Sequence, residues 1–279
     1  MKTLLLVAFL TFFYFTSFGQ YYYKDIIGVK ETEQMIRAYQ NNKVSHVVLN
    51  SYDADGTKSD DFFVEQQVNI PLQTLKTTTR SGVTDASVLT SFINADGRVI
   101  KTIDSTENTI STTNYTYNTA GLLTAVTSFS SDTSNSISET EEHVWEYNNN
   151  KITRMLRIKN KRDTTFVQFK ADDKGNITEE QSSSSLHKTD PVYYYYDAKN
   201  RLTDIVRFNN KAKRLLPEYM FEYNAANQVI QKITVPANSS DYLIWRYQYN
   251  DKGLRTKEAV FDKQKKLTGT IQYQYQFSS

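Results

Sequence analysis

A turn motif recurs seven times over the last two thirds of this 279-residue chain, at a nearly constant spacing. It consists of an aromatic residue, any residue, a second aromatic residue, Asn or Asp, two residues, Gly or Asn, and usually an apolar residue. The Gly or Asn positions are separated by 24, 29, 25, 25, 27 and 26 residues. They are Gly97, Gly121, Asn150, Gly175, Asn200, Asn227 and Gly253. Chance placement would scatter them far more widely, so this repeat constrains the fold more than any other feature.

The aromatic pair of each copy predicts a β-strand with an aromatic face. Side chains alternate in direction along a strand, so residues two apart share a face. We expect the rings to form cross-strand ladders, in which each pair contributes a few tenths to about 1 kcal/mol. An alternative is that part of this face is open and binds a carbohydrate or a polypeptide by stacking.

The residues after the aromatic pair predict a tight hairpin loop. An Asn or Asp, such as Asp197, bonds its side chain to the backbone two residues further on. The following Gly or Asn suits a position of positive φ, where a Cβ atom is costly. Polar breaks midway between copies, such as residues 209–211, predict a second chain reversal. Each repeat is therefore predicted to contain two strands of about nine residues.

The first 19 residues are predicted to be a secretory signal peptide. Lys2 supplies the positive charge, residues 4–15 are almost all apolar, and the small residues Ser17 and Gly19 precede a predicted cut between Gly19 and Gln20. The apolar stretch is short for a membrane span of about 20 residues, although a retained anchor is the alternative. The prediction is an exported protein, periplasmic or secreted, with no transmembrane segment after signal removal.

Residues 20–90 lack the motif and are predicted to form a small N-terminal cap. Residues 31–40 predict one short helix with Met35, Ile36 and Tyr39 on one face. Repeat arrays usually end in atypical units that protect an exposed edge. The predicted fold class is all-β, with tandem β-hairpin repeats in a curved, largely single antiparallel sheet and a cap containing one short helix. The predicted divisions are a signal peptide at 1–19, a cap at 20–90 and a hairpin array at 91–279.

The motif resembles the YD repeat of the RHS family, which includes bacterial polymorphic-toxin shells, insecticidal toxin-complex components and teneurins. Residues 194–203 are the nearest copy, with Asn200 where the family has Gly, and residues 247–254 come next. In that family, long strings of hairpins spiral into a hollow shell around a cargo. About seven copies are too few to close such a shell, so the resemblance implies only a curved, mostly single sheet. The chain is also similar in style to uncharacterised exported proteins of Bacteroidota.

No group of residues in the sequence predicts catalysis, a metal site or a cofactor. The absence of Cys excludes a disulfide framework, Cys-ligated zinc and a thiol nucleophile. His46, His143 and His187 lie far apart and are interpreted as half-exposed strand residues. Residues 53–56 begin like a calcium loop, but Val64 stands where the loop needs Glu, so a turn is predicted.

Neighbouring acids also fail to predict an active site. They occur at residues 60–61, 141–142, 172–173 and 179–180. Glycosidase chemistry needs two carboxyl groups at a defined separation across a cleft, which neighbours in sequence do not imply. The motif residues are instead assigned structural roles. These residues are Tyr115, Tyr117, Gly121, Trp145, Tyr147, Gly175, Tyr194, Tyr196, Asp197, Asn200, Phe221, Tyr223, Asn227, Tyr247, Tyr249 and Gly253.

A membrane barrel is a less favoured alternative. The chain ends with aromatic residues at 273, 275 and 277, which is typical of outer-membrane barrels. Such barrels need an apolar face on every strand, and residues 254–261 offer none.

The predicted function is a non-enzymatic extracytoplasmic binding or structural module with an unknown ligand. Its partner is expected to be a protein or a glycan. Nucleic acid is excluded, because 33 basic and 31 acidic residues leave no concentrated basic face. One alternative is an accessory or immunity-like partner of a larger RHS-type toxin. Another is a hydrolase with a site assembled from distant loops, which a deep pocket lined by His and carboxylates would favour.

Overall fold

The computed structural model describes residues 21–278, except residues 83, 135, 186, 237 and 238 and the side chains of residues 84 and 85. The predicted signal peptide and its cleavage site lie outside the described residues. Within the described part of the chain, one helix precedes 18 antiparallel strands. The elements are α1 Lys24–Asn41, β1 Val44–Asp53, β2 Phe62–Asn69, β3 Thr74–Ser81, β4 Thr84–Ile93, β5 Val99–Ser105, β6 Thr109–Tyr117, β7 Leu123–Asp132, β8 Ser138–Asn148, β9 Lys151–Lys159, β10 Asp163–Ala171, β11 Ile177–Ser183, β12 Val192–Tyr196, β13 Leu202–Asn209, β14 Arg214–Tyr223, β15 Val229–Thr234, β16 Leu243–Tyr249, β17 Arg255–Phe261 and β18 Leu267–Phe277.

The strands form a closed barrel. Each strand pairs with its neighbours in sequence, and β18 returns to pair with β1. This closing ladder runs from Val44 opposite Phe277 to Asp53 opposite Gly269. Closure removes the exposed edges on which an open sheet would aggregate. The predicted curved, largely single sheet is therefore wrong, because the two ends of the array meet.

The predicted N-terminal cap is wrong for the same reason. Strands β1, β2 and β3, which come from that region, belong to the barrel wall, with β1 bonded to both β2 and β18. A closed barrel leaves no edge for a cap to protect. The helix is also longer than predicted, with 18 residues from Lys24 to Asn41. It ends where Asn42 covers the Ala38 carbonyl and Lys43 adopts a φ of 53°.

Helix α1 lies inside the barrel. The segment 21–42 contacts wall residues from strands all around the barrel. These are Gln66 on β2, Tyr117 on β6, His143 on β8, Glu180 on β11, Tyr219 on β14 and Tyr275 on β18. Barrels of 16 to 18 strands have a lumen wide enough for an aqueous channel, so a helix can fill much of this one.

The motif loops all lie at one end of the barrel, here called the motif rim. In a representative loop, Asp197 Oδ1 accepts hydrogen bonds from the amides of Lys199 and Arg201 at 2.8 and 3.0 Å. Asn200 has a φ of 61°, and the strand register shifts by a bulge between Tyr195 and Tyr196. The other repeat positions, Gly97, Gly121, Asn150, Gly175, Asn227 and Gly253, also have positive φ. The turns midway between copies lie at the opposite rim.

The second aromatic residue of several copies ties neighbouring strands together at the motif rim. Its hydroxyl donates to a backbone carbonyl at the start of the preceding strand, as in Tyr223 to Leu202 at 2.8 Å. The same bond joins Tyr117 to Val99, Tyr147 to Leu123, Tyr249 to Val229 and Tyr275 to Arg255, at 2.6 to 2.8 Å. The strands in each pair are connected in sequence only at the opposite rim, so these hydroxyls hold their free ends together.

The outer face of the wall is mostly polar. Strand β18 presents Gln272, Gln274 and Gln276 outward, opposite outward residues of β1 and β17. Phe129 is exposed on the outer face, but it lies between Thr112 and Thr140 on the adjacent strands. Two outward apolar rows each cross four strands: Ala125, Val144, Leu156 and Phe166 on β7 to β10, and Met220, Ile233, Ile244 and Phe261 on β14 to β17. Strand β3, in contrast, presents Thr74, Lys76, Thr78 and Arg80 outward. A lipid-facing barrel needs an apolar band on every strand, which these described strands do not provide.

The tyrosine hydroxyls predict a measurable contribution to stability. Changing Tyr223 to Phe removes the hydrogen bond to Leu202 and should lower the free energy of unfolding by about 1 kcal/mol. Tyr195→Phe is the matched control, because this ring faces outward and is 49% exposed. Urea unfolding of both variants measures the difference. An equal decrease in the free energy of unfolding of the two variants would contradict the role of the inward hydroxyl.

Candidate functional site: the plugged lumen and its rim cleft

Glu180 fixes the start of the helix to the wall. Its carboxylate accepts hydrogen bonds from the amides of Tyr22 at 2.7 Å and Tyr23 at 2.9 Å, and from the hydroxyl of Tyr194 at 2.7 Å. The residue is 2% exposed, and burial raises the pKa of its carboxyl while the three donors oppose that rise. A carboxylate at the helix N-terminus also complements the helix dipole. Glu180 therefore anchors the plug in the lumen.

A second anchor is a chain of charges around His143. The ring Nδ1 lies 2.5 Å from Asp25 Oδ2, and Nε2 lies 2.9 Å from Glu141 Oε1. Arg157 Nη2 in turn bonds Glu141 Oε2 at 2.5 Å. Both carboxylates accept, so both ring nitrogens must carry a proton. Burial lowers the pKa of His143, but Asp25 and Glu141 outweigh it and raise the pKa to about 9.

The end of the helix is held at the motif rim. Tyr39 donates its hydroxyl to Gln66 Oε1 at 2.8 Å. The Tyr117 hydroxyl, which donates to Val99, lies 3.3 Å from Glu33 Oε1. Asn42 Nδ2 donates to the Lys252 carbonyl of a motif loop at 3.2 Å. The plug is therefore attached to the wall at both of its ends.

A charged layer separates the helix from strands β15 to β17. Arg255 Nη1 bonds Glu258 Oε1 at 2.9 Å, and the Tyr273 hydroxyl donates to the same oxygen. The guanidinium carbon lies 4.3 Å from the centre of the Tyr247 ring. Burial lowers the pKa of Lys232, while Glu31 on the helix raises it. These charges are enclosed by the wall and largely compensate one another.

An open cleft of about 480 Å³ lies at the motif rim, between the outer side of the helix and two motif loops. Its lining is almost entirely polar. The residues are Lys30, Glu33, Gln34, Arg37, Ala38, Asn41, Asn42, Gln228, Lys252 and Gly253. Gln228 Nε2 bonds the Gly253 carbonyl at 3.2 Å, which stitches two neighbouring loops together. The cleft therefore has walls that are held in place before any ligand arrives.

The motif aromatics all line the lumen, but not as one open surface. Trp145 stacks on Phe169 with a centroid distance of 5.4 Å, and Lys232 and Arg255 cover the rings of Phe221 and Tyr247. The inward motif rings are Tyr115, Tyr117, Trp145, Tyr147, Tyr194, Tyr196, Phe221, Tyr223, Tyr247 and Tyr249. Their faces are used for packing and cation contacts, which favours the ladder interpretation over stacking on a ligand.

The three histidines are not brought together. His46 faces outward and lies 2.6 Å from Glu65, His143 lies in the lumen, and His187 is exposed in a loop at the opposite rim. The interpretation of His143 as half-exposed is wrong, since it is 8% exposed. Among the described residues, no group of three or more His, Asp or Glu could hold a metal ion. The calcium-like stretch at residues 53–56 forms the turn after β1.

The rim cleft does not combine an open histidine with carboxylates. The rim cleft has one carboxylate, Glu33, and it contains no His. His143 is buried with both ring nitrogens occupied. Neither the rim cleft nor the surroundings of His143 therefore form the deep pocket lined by His and carboxylates that would favour a hydrolase. A non-enzymatic role stays a prediction.

Sequence reasoning missed Glu180 and Arg255. Glu180 follows another acid, Glu179, and only the strand direction shows that one faces the lumen and the other faces water. Simple alternation places Arg255 and Glu258 on opposite faces of β17. Gln248 lies opposite Lys257 and Tyr249 opposite Arg255, so β17 contains one extra residue at this bulge and both side chains face inward. The available signal for Glu180 was an acidic residue on the inward face of a predicted strand, because such a buried acid needs a hydrogen-bonding partner.

No family model and no curated protein matches the chain. Among solved structures, it is similar to a porin-like protein from Bacteroides uniformis ATCC 8492, with 14% identity and a TM-score of 0.39 over 84% of this chain and 97% of that one. A porin-like protein from Bacteroides vulgatus ATCC 8482 matches at 11% identity and a TM-score of 0.20, over 84% and 98%. The Tc holotoxin pore of Photorhabdus luminescens matches at 11% identity and a TM-score of 0.35, over 77% of this chain.

The chain spans only 12% of the toxin chain that it matches. All of these TM-scores are too low to support an argument about function. The likeness to the RHS family therefore rests on the repeated motif, without support from a family model. Within the described residues, no helix combines the length and the apolar character needed to cross a membrane.

The Glu180 anchor predicts that its loss frees the plug. Glu180→Ala leaves two amides and a hydroxyl without their acceptor and should cost about 3 kcal/mol or more. Amide exchange should become faster over residues 21–41. Glu179→Ala is the matched control, since Glu179 pairs on the outer face with the exposed Lys170 and should contribute less than about 1 kcal/mol. Similar exchange in both variants would contradict the anchor.

His143 predicts a pH-dependent contribution to stability. Its pKa is raised from 6.5 to about 9, so its stabilisation is complete below pH 6.5 and is lost as the pH rises through about 9. This corresponds to roughly 3 kcal/mol. The stability gap between the wild type and His143→Gln should therefore shrink by about that amount between pH 6 and 9. Chemical unfolding across this range measures it, and a constant gap would show that His143 is not charged.

Proposed function

We propose that this chain is a non-enzymatic binding module that works outside the cytoplasm, and that its ligand site is the rim cleft. The observation that carries the proposal is the fixed plug. Anchors at both ends, Glu180 at the start of the helix and Asn42 at its end, hold the helix against the wall. A barrel filled in this way offers a rigid cleft at its rim instead of an open passage.

The plug and the outer wall both argue against a pore. The segment 21–42, which includes helix α1, occupies the lumen in contact with six strands spread around the wall. Outward residues such as Gln272 and Gln274 suit water better than lipid. The same features support a structural or binding role for the barrel.

The cleft has the properties of a small-molecule site. Its volume of about 480 Å³ lies within the usual range for ligand sites, about 300–1,000 Å³. Because Gln228 and Asn42 bond the loop carbonyls, little ordering is needed when a ligand binds. Placement outside the cytoplasm is supported by the predicted signal peptide.

A ligand screen tests the proposal. The mature chain, residues 20–279, is screened by thermal shift against soluble glycans and short peptides. At least one compound should raise Tm, and Gln34→Trp within the cleft should abolish the shift. Gln181→Trp on the outer wall is the control and should leave the shift unchanged. Compounds that raise the Tm of the Gln34→Trp variant as much as that of the wild type would contradict the assignment of the site.

The plugged lumen predicts that the protein does not conduct ions. The mature chain added to planar lipid bilayers should give no conductance steps, because the helix fills the barrel and the wall faces water. The Glu180→Ala variant serves as the control for plug release, and it should also give none. Stepwise conductance by the wild-type protein would overturn the proposal in favour of a channel.

A further inference from the structure

We infer that the rim cleft takes an acidic sugar, that is, a sugar-sized molecule carrying a carboxylate or phosphate group. This inference rests on the proposed function and assigns the chemical class of its ligand. The cleft combines an excess of positive charge with free amide groups, and each feature selects a different part of such a molecule.

The charge excess comes from three basic side chains and one acid. Lys30, Arg37 and Lys252 line the cleft together with Glu33. Glu33 is already engaged, since its Oε2 accepts a hydrogen bond from Arg37 at 3.1 Å. The two lysines therefore supply about two unbalanced positive charges.

Lys30 has the environment of an anion-binding group. It forms no ion pair with the described residues, and Glu33, the acid that acts on its charge, is paired with Arg37. Lys30 is an exposed residue of the helix. Partial desolvation by its neighbours lowers the pKa of its ammonium group, and Glu33 opposes this. A bound anion would stabilise the charged form of Lys30, so binding and protonation of Lys30 reinforce each other.

The helix C-terminus works against an anion, but it is the weaker effect. It carries about half a negative charge, which falls off within the last turn. Asn42 already covers the Ala38 carbonyl with its amide at 3.2 Å and its side chain at 2.8 Å, and Lys43 covers the Gln40 carbonyl. Two full positive charges outweigh this partly compensated dipole.

The amide groups select a hydroxyl-rich frame. Gln34 and Asn41 line the cleft, and their side-chain amides make no hydrogen bond to the described residues. Each amide both donates and accepts, which matches the hydroxyl groups of a sugar. No aromatic ring lines the cleft, so the site recognises polar groups around an anion and not an apolar face. Its volume of about 480 Å³ limits the ligand to about one or two sugar rings.

Calorimetric titration of the mature chain tests the inference. The probes are galacturonate, glucose 6-phosphate, galactose, glucose and inorganic phosphate, each at low and moderate salt. We expect galacturonate or glucose 6-phosphate to bind and the neutral sugars to bind at least about tenfold more weakly. Whichever acid binds more tightly identifies the anionic group. Affinity should fall as the salt concentration rises.

Charge-reversal variants assign the binding to the cleft. Lys30→Glu and Lys252→Glu should each weaken binding of the acidic sugar at least about tenfold. Lys211→Glu, at the opposite rim, makes the same change in net charge and should have no effect. Lys30→Gln removes the charge with less disturbance of folding, and thermal unfolding verifies each variant.

The outcomes separate this inference from the proposed function. Equal affinity for neutral and acidic sugars, still abolished by Gln34→Trp, would overturn the acidic part and keep the cleft as the binding site. Inorganic phosphate binding as tightly as glucose 6-phosphate would overturn the sugar part. Binding that survives both lysine reversals and Gln34→Trp would overturn the inference and the proposed function together.

Discussion

The hydrogen-bonded ladder between β1 and β18 is the constraint on which the rest of the structure depends. It joins Val44–Asp53 to the final strand of the chain and turns a row of hairpins into a closed wall. Without it, the wall would have two open edges and the helix would lose its enclosure. With it, the aromatic side of every repeat faces inward, and the tyrosine hydroxyls of the motif rim fasten the free strand ends. Closure, core and plug are thus aspects of one arrangement.

The enclosed helix explains why charged groups lie inside the barrel. An isolated charge in such a place is costly, and it is tolerated only when it is paired or hydrogen-bonded. Glu180 meets two backbone amides and a hydroxyl, and His143 lies between Asp25 and Glu141. These pairs specify the position of the helix as well as its stability, because removing one partner leaves the other buried and unsatisfied. The cleft at the motif rim inherits its fixed shape from this positioning.

Local features of this fold could be predicted from the sequence, whereas its closure could not. The spacing of Gly121, Asn200 and Gly253 located the chain reversals, since a left-handed position in a tight loop favours Gly or Asn. Nothing in residues 44–53 indicates pairing with residues 267–277, because cross-strand partners so distant in sequence leave no local signal. The strand bulges also made simple alternation a poor guide to which side chains face inward, since alternation placed Arg255 on the opposite face from Glu258. The cleft could not be predicted either, because it requires a long helix inside a closed wall.

The most direct test of the account is a cross-link between β1 and β18 in a chain that has no cysteine of its own. Val48 and Gln274 are cross-strand partners on the outer face, so cysteines at these two positions should form a disulfide on mild oxidation. Lys257→Cys with Gln272→Cys, on adjacent strands, is the positive control, and Val48→Cys with Gln181→Cys, far apart on the wall, is the negative one. We expect the Val48–Gln274 pair to give a cross-linked monomer that migrates faster in non-reducing gel electrophoresis, as the positive control does. A positive control that cross-links while the Val48–Gln274 pair does not would show that the sheet is open, and the plugged barrel would be wrong.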